Sequence, residues 1–279
     1  MKKKPNWLRV PYYNNENSTF VTQLLKELDI NTVCFEADCP NRAECFSNRI
    51  ATFMILGTKC TRKCRFCNVS HRIPLPVDNN EPAKIAAAVE RLGLKYVVIT
   101  SVTRDDLPDG GAGHFADVIR EIYKTVPETV VEALIPDLTD LKKITDESPA
   151  VISHNIETVE SLYSSVRPDA NYKHSLNVLR QIKQTDPEIR TKSGIMLGLG
   201  ETRAEVIKTF DDLLETGCEF LTIGQYLRPS KNHYPVNEYI EPEVFKEYDE
   251  IAKKKGFRYV ASAPFVRSSY NADKALAQI

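Results

Sequence analysis

From residue 51 onward, short apolar runs alternate with amphipathic stretches of helical length. The apolar runs predict strands at 52–56, 96–100, 129–134, 151–155, 190–196 and 220–224. The stretches between them predict helices at 82–92, 114–125, 138–146, 172–185 and 202–215. Pro82 suits a first helical turn, where its missing N–H costs nothing. Val206, Phe210, Leu213 and Leu214 form an i, i+4, i+7, i+8 stripe, and Thr202 with Glu205 three residues later spells a capping box. Six strand-then-helix units in succession, fewer than the eight of a closed barrel, predict an α/β fold, a parallel sheet forming an open or partial (β/α)6 TIM-like barrel. A helix at 242–254 and a strand at 258–262 follow and lead into the tail 263–279. Residues 1–50 carry few periodic apolar positions and read as an irregular extension. The chain thus divides into an N-terminal extension (1–50), a barrel (51–257) and a C-terminal closing segment (258–279). In such a barrel the chemistry sits at the carboxyl ends of the strands, so the loop 57–76 after the first strand is the first place to look.

Composition narrows the partners. The 279 residues are 42% hydrophobic, enough for one sizeable core. A net charge of −1 with 27% charged residues gives no global excess to draw nucleic acid or a membrane surface. Lys253, Lys254 and Lys255 read as the solvated end of a helix. No apolar run reaches the roughly 18 residues of a membrane span. The basic start Met1-Lys2-Lys3-Lys4-Pro5 lacks an apolar h-region, so a cytoplasmic protein is expected, or an organellar one after removal of a transit peptide.

The cysteines change the picture most. Of the 7, Cys34, Cys39, Cys45, Cys60, Cys64 and Cys67 cluster, while Cys218 stands alone and is expected to pack as a small hydrophobe. A long chain with its own core has little need of a disulfide scaffold, and clustered thiols then point to metal. Cys60, Cys64 and Cys67 form a C-x3-C-x2-C array on the loop 57–76. Three thiolates can hold three irons of a cubane cluster and leave the fourth iron open to chelate a ligand. A zinc site is the alternative, but it wants four ligands and His71 is the one nearby candidate for the fourth. Cys34, Cys39 and Cys45 form a looser C-x4-C-x5-C array before the first strand, either a second three-thiolate cluster site or three buried thiols.

The first array, with Phe66 before its last cysteine, resembles the signature of the radical S-adenosylmethionine (SAM) superfamily. The resemblance implies that the open iron binds the methionyl amino and carboxylate groups. One-electron cleavage then yields a radical that abstracts hydrogen from an unactivated carbon. Phe66 either stacks near the adenine or covers the cluster.

The pair of triads resembles a narrower family, lipoyl synthase. So do Asn31-Thr-Val-Cys34, Thr52-Phe-Met-Ile-Leu-Gly57, Lys4-Pro5-Asn6-Trp7-Leu8 and Thr103-Arg104-Asp105-Asp106-Leu107. Further agreement lies in His154-Asn155-Ile156-Glu157-Thr158, the stretch 192–201, Ile223-Gly224-Gln225-Tyr226-Leu227 and Arg267-Ser268-Ser269-Tyr270. Ala263-Pro264 stands where the family pattern has Gly-Pro. The resemblance implies two 4Fe-4S clusters, one for SAM and an auxiliary one on Cys34, Cys39 and Cys45. The auxiliary cluster takes a serine as fourth ligand, Ser269 in preference to Ser268. It also implies sulfur insertion at C6 and C8 of an octanoyl chain on a lysine of a lipoyl domain or the glycine-cleavage H protein. The auxiliary cluster is the sulfur donor. A ferredoxin or flavodoxin would supply electrons, and an iron–sulfur carrier protein would supply clusters. By the same resemblance Gly110 and Gly111 lie in a loop that contacts the methionyl group, with a plain flexible loop as the alternative. Gly198 and Gly200 lie in a second cofactor loop that also reads as a tight strand-to-helix turn. Asn155 and Glu157, at the end of the fourth strand, suit ribose hydroxyls. His154 is either a ligand contact or a structural histidine. Arg167 and Lys192 are candidates to meet a carboxylate.

Overall fold

The computed structural model describes residues 3–10 and 15–278; Met1 and Lys2 of the basic start and Ile279 of the closing segment lie outside them. The chain clusters into two units, Val10–Arg62 with Asn68–Ile152, and Met1–Arg9 with Lys63–Cys67 and Ser153–Ile279.

The first unit opens on helices rather than irregular chain. Asn15 caps α1 (Glu16–Glu27) by accepting the Ser18 N–H, and Val21, Leu24 and Leu25 bury one face. Two short helices follow, α2 (Val33–Glu36) and α3 (Arg42–Ser47). Residues 1–50 therefore correct the reading as irregular: α1 is mostly polar, and its three buried positions are too few to stand out. Next come β1 (Thr52–Ile55) and a two-stranded ladder, β2 (Lys59–Cys60) with β3 (Ser70–His71). The unit continues through α4 (Glu81–Leu92), β4 (Tyr96–Ser101), α5 (Ala112–Thr125), β5 (Val130–Leu134) and α6 (Lys142–Thr145). Pro82 lies in the first turn of α4, as expected. The helix expected over 138–146 shrinks to α6, because Asp137 and Thr139 are held in the loop, Thr139 by the Pro108 carbonyl. β1 pairs with β4 and β4 with β5, all parallel.

The strand β6 (Val151–Ser153) stops two residues short of expectation, leaving His154 and Asn155 beyond it. The second unit continues with α7 (Tyr163–Val166), α8 (Tyr172–Thr185), β7 (Arg190–Leu197), α9 (Arg203–Leu214), β8 (Phe220–Gln225), α10 (Pro242–Lys255) and β9 (Tyr259–Ser262). A 3-10 helix, Ala272–Gln278, follows. The capping box at the start of α9 is present as Thr202 and Glu205. β7, β8 and β9 pair in parallel. The sheet order is β1-β4-β5-β6-β7-β8-β9, so strands follow chain order, each returned by a helical crossover. The α/β class is met, and the strand expected after the six units joins the sheet as its seventh. Val206, Phe210, Leu213, Leu221, Ile223 and Phe245 bury the core of this unit. Cys218 is buried in the same cluster, as its sequence position suggested. Among the described residues no helix is long and apolar enough to cross a membrane.

Candidate active-site residues

The second cysteine triad has its own frame. Thr32 caps α2 by accepting the Phe35 N–H, and the Met54 N–H bonds the Asn31 carbonyl at 2.9 Å, tying the triad's lead-in to β1. Cys34 lies in α2, Cys39 in the following turn and Cys45 in α3. The turns are closed by Cys39 N–H to Cys34 O (3.1 Å) and Cys45 N–H to Asn41 O (2.9 Å). Phe35 meets Phe46 edge-on at 5.4 Å, and the Arg42 guanidinium stacks 4.8 Å over Phe35.

The three thiols lie within electrostatic reach of one another. Burial pushes Cys34 up to about 11, against hydrogen bonding from Thr52 and with the neighbouring Cys39 adding to the rise. Burial pushes Cys45 up to about 12, reinforced by Cys34, Cys39 and Glu44. A cation beside such thiols would favour their thiolate forms. Among the described residues no Cys, His, Asp or Glu groups gather around one metal ion; a cubane instead takes each thiolate on a separate iron. All 7 cysteines are thiols outside disulfides. The triad thus suits a cluster with three thiolate corners.

Of the first triad, Cys60 belongs to the first unit and ends β2, its sulfur accepting the Arg62 N–H at 3.5 Å. Sequence reading missed what holds this end. Asp105 accepts from Thr61 Oγ1 (2.7 Å) and from Arg62 Nη2 (2.9 Å), and Arg62 also pairs with Asp137. These charged bonds outweigh burial and raise the Arg62 pKa. The stretch 103–107 was legible only as a resemblance, because its work is tertiary. At the exit of β1, Leu56 takes a left-handed φ of 65°. Its N–H is held by Glu81 Oε2 (2.8 Å), itself bonded to His114, and its carbonyl accepts from Arg104 (3.2 Å). A left-handed leucine costs about 1–2 kcal/mol, which these charged partners offset.

Cys64 and Cys67 belong to the second unit, where Cys67 N–H closes a turn onto Cys64 O at 3.1 Å. Lys63 N–H bonds Asp169 (2.8 Å), Arg65 N–H bonds Val166 O (2.9 Å), and His233 Nε2 donates to Cys67 O (3.1 Å). Phe66 packs against Val166, Leu199 and Tyr226.

Gly110 and Gly111 lead into α5. Asp109 organises them: it accepts from Gly111 N (3.0 Å) and Gly113 N (2.9 Å) and pairs with Lys143 (2.8 Å). Burial alone would raise this carboxyl, but Lys143 and the two amides hold it down at about 2, against an unperturbed 3.8. Its charge therefore stabilises the fold fully above pH about 4 and loses that effect as pH falls toward 2. We expect Asp109→Asn to cost at most about 2 kcal/mol at pH 7, with the deficit shrinking steadily below pH 4. Urea unfolding of both proteins across that range measures it; a deficit that does not change with pH would rule the ion pair out.

In the second unit Asn155 Nδ2 donates to Glu157 Oε1 (3.0 Å) and to Ser268 Oγ (2.6 Å). The Glu157 carboxylate oxygen orients the amide with Nδ2 towards it, and Oδ1 is left buried without a partner. An orphaned acceptor here fits a ligand hydroxyl. Burial raises the Glu157 pKa, with Arg167, Asn155 and Arg267 pulling the other way. Arg167 Nη1 donates to Asn155 O (3.1 Å) and Tyr163 OH (2.9 Å), so its guanidinium braces this cluster. His154 and Lys192 are buried, joined through His154 N–H to Lys192 O at 3.0 Å.

Gly198 and Gly200 form the turn between β7 and α9. Sequence reading missed Glu201, whose carboxylate takes the N–H groups of Gly198 (2.6 Å), Leu199 (2.9 Å) and Gly200 (3.0 Å). Those amides are therefore satisfied within the turn. Ser269 follows Ser268 directly, and Ser268 is the one that Asn155 engages.

The class of protein follows from comparison with known proteins: the Radical SAM superfamily model matches residues 54–213, so the chain is a radical SAM protein. Solved structures share the fold at low identity. Streptococcus suis SuiB bound to S-adenosylmethionine has a TM-score of 0.59 at 11% identity, covering 79% of this chain and 53% of that one. Methylornithine synthase PylB has a TM-score of 0.55 at 15% identity, covering 93% and 88%. Curated relatives go further. Lipoyl synthase of Alkaliphilus metalliredigens is 55% identical over 280 residues, 99% of this chain and 97% of that protein. Lipoyl synthase of Geobacter metallireducens is 52% identical over 274 residues, 97% and 96%. The chain belongs to the lipoyl synthase family. As a member it is a radical SAM sulfurtransferase that uses S-adenosylmethionine and two 4Fe-4S clusters to insert sulfur at C6 and C8 of a protein-bound octanoyl chain.

Proposed function

We propose that Cys60, Cys64 and Cys67 hold the SAM-binding cluster, and that Cys34, Cys39, Cys45 and Ser269 hold the cluster that gives up sulfur. The observation that carries this is the frame around the second triad, where α2, the turn after it and α3 bring Cys34, Cys39 and Cys45 within electrostatic reach of one another. When bound, the clusters and S-adenosylmethionine supply hydrogen abstraction at C6 and C8 and the sulfur atoms themselves. The chain's residues bind and orient. Asn155 Oδ1 accepts a ribose hydroxyl, with Glu157 beside it and Arg167 bracing both. Phe66 covers the first cluster, and the turns at Gly110–Gly111 and Gly198–Gly200 shape the approach. A serine oxygen is a poorer ligand than thiolate for such iron, so the corner at Ser269 is the easiest to release.

In this reading segment 1–50 carries the sulfur-donating site, 51–257 the radical chemistry and 258–279 the serine. The substrate carrier is a lipoyl domain or a glycine-cleavage H protein. A ferredoxin or flavodoxin delivers electrons, and an iron–sulfur carrier protein restores the spent cluster. Thiols throughout, with no disulfide, suit a reducing compartment such as the cytoplasm. The test is anaerobic turnover of the reconstituted protein with S-adenosylmethionine, dithionite and an octanoyl-lysine peptide, followed by mass spectrometry. A monothiolated and then a dithiolane product is expected; 5′-deoxyadenosine with an unchanged peptide would remove the substrate assignment.

A further inference from the structure

Between Gly57 and Val77 the sequence has no Asp or Glu, yet it carries Lys59, Arg62, Lys63, Arg65 and Arg72. Within the first unit the end of this stretch, residues 72–77, is an irregular strap. Ile73 is 88% exposed and Leu75 64% exposed, the two most exposed large hydrophobics among the described residues. Pro74 and Pro76 follow them, and a residue before proline is biased to extended backbone, which stiffens the strap that displays these side chains. Isolated exposed aliphatics are ordinary; two on a stiffened segment beside unpaired cations are not. Arg62 is committed to Asp105 and Asp137, whereas Lys59 and Arg72 have no carboxylate partner among the described residues.

The strap's root is tied to both triads. His71, its first neighbour, pairs with Cys60 across the β2–β3 ladder. Asn68 Nδ2 donates to the Glu36 carbonyl of α2, the helix that carries Cys34 (3.1 Å). A body seated at the root of the strap therefore lies next to the segment that links Cys60 to the helix carrying Cys34. An electron donor needs to approach one cluster, whereas the octanoyl carrier must serve both the hydrogen-abstracting centre and the sulfur source.

We infer that the Arg72–Val77 strap is the docking surface for the octanoylated carrier protein. Ile73 and Leu75 are the apolar anchors, and Lys59 and Arg72 meet an acidic face around the carrier's modified lysine. This inference rests on the lipoyl-carrier reading above and adds the place where the carrier sits. None of these four side chains is assigned to a cluster or to S-adenosylmethionine, so their substitution leaves the chemistry in place.

The test uses the holoenzyme with dithionite as reductant and two substrates, an octanoylated lipoyl domain and an octanoyl-lysine tripeptide. For Ile73→Ser/Leu75→Ser, and separately for Arg72→Glu, KM for the domain should rise roughly tenfold, as loss of one interface anchor does. Kd for the domain, titrated by fluorescence anisotropy, should rise in parallel, and tripeptide turnover should be unchanged. An unaltered domain KM and Kd overturns the inference. So does a defect that emerges only when flavodoxin replaces dithionite, since the strap would then receive the electron donor. If the unsubstituted enzyme thiolates neither substrate, the family reaction is at fault instead, and the Kd titration still decides the strap.

Discussion

Replacing Cys39 by Ala is expected to leave S-adenosylmethionine cleavage near its normal rate while abolishing sulfur transfer; replacing Cys64 by Ala should abolish both. The difference follows from where the thiols stand. Cys64 lies in the C-x3-C-x2-C loop, and loss of any of its three thiolates leaves an iron without its ligand in the cluster that activates the cofactor. Cys39 lies in the turn between α2 and α3, outside the loop that carries Cys60, Cys64 and Cys67. Cys39 is also the better choice over Cys34 for this experiment. Cys34 is only 5% exposed and its removal opens the core beside β1, whereas Cys39 is half-buried and its loss costs little packing. For Cys39→Ala, iron should drop from about eight to about four per chain. 5′-Deoxyadenosine should still form, and thiolated product should fall by more than about a thousandfold, well within the acceleration an enzyme supplies. For Cys64→Ala, both products should fall by that amount. If Cys39→Ala keeps thiolating the octanoyl chain, the second triad is not the sulfur source. If it also loses 5′-deoxyadenosine, the two sites are not separable as proposed.

The sequence exposed the parts of the molecule that local physics dictates. Apolar runs such as Tyr96–Ser101 and Phe220–Gln225 are fully or nearly buried, so they read as strands without further help. Thr202 and Glu205 satisfy each other's backbone groups within one turn, and that reciprocity is visible as a spacing. The first cysteine array is legible for the same reason, since all its ligands lie on one loop. What was hidden depends on long-range partners. Asn15 and the Val21, Leu24, Leu25 face of α1 were present in the sequence, but the helix is polar enough that only burial against the rest of its unit reveals it. Asp105 reaches back 43 residues to Arg62, and Glu81 reaches 25 residues to Leu56. No periodicity announces such bonds. Glu201 looked like the end of a glycine-rich cofactor loop, and its seat on three successive amides emerges only from the fold.

Gly224→Ala is expected to disable sulfur insertion from a position that holds no ligand. Gly224 lies in β8, opposite Met196 of β7. A Cβ added there would overlap the Val266 carbonyl oxygen and come within 3.2 Å of Arg267 Nη1. Neither neighbour can yield easily. The carbonyl is backbone, and Arg267 Nη1 donates to it at 2.6 Å, closing a knot over residues 264–267. The whole turn has to lift, and overpacking of this kind costs about 1–3 kcal/mol, or roughly 2–10 °C in Tm. Ser268 is the next residue, held 2.6 Å from Asn155 Nδ2, and Ser269 follows it. A lift of about 1 Å at a catalytic position costs about a hundredfold in rate. Sulfur insertion should therefore fall about a hundredfold in Gly224→Ala, approaching the value for Ser269→Ala, while the iron bound by the first triad persists. Ser269→Ala should show the activity loss without the drop in Tm, because it removes one oxygen and displaces no backbone. Differential scanning calorimetry and product analysis on the two variants separate these effects. Normal sulfur insertion in Gly224→Ala, with the expected fall in Tm, would mean that the placement of the 267–270 segment does not govern the second cluster.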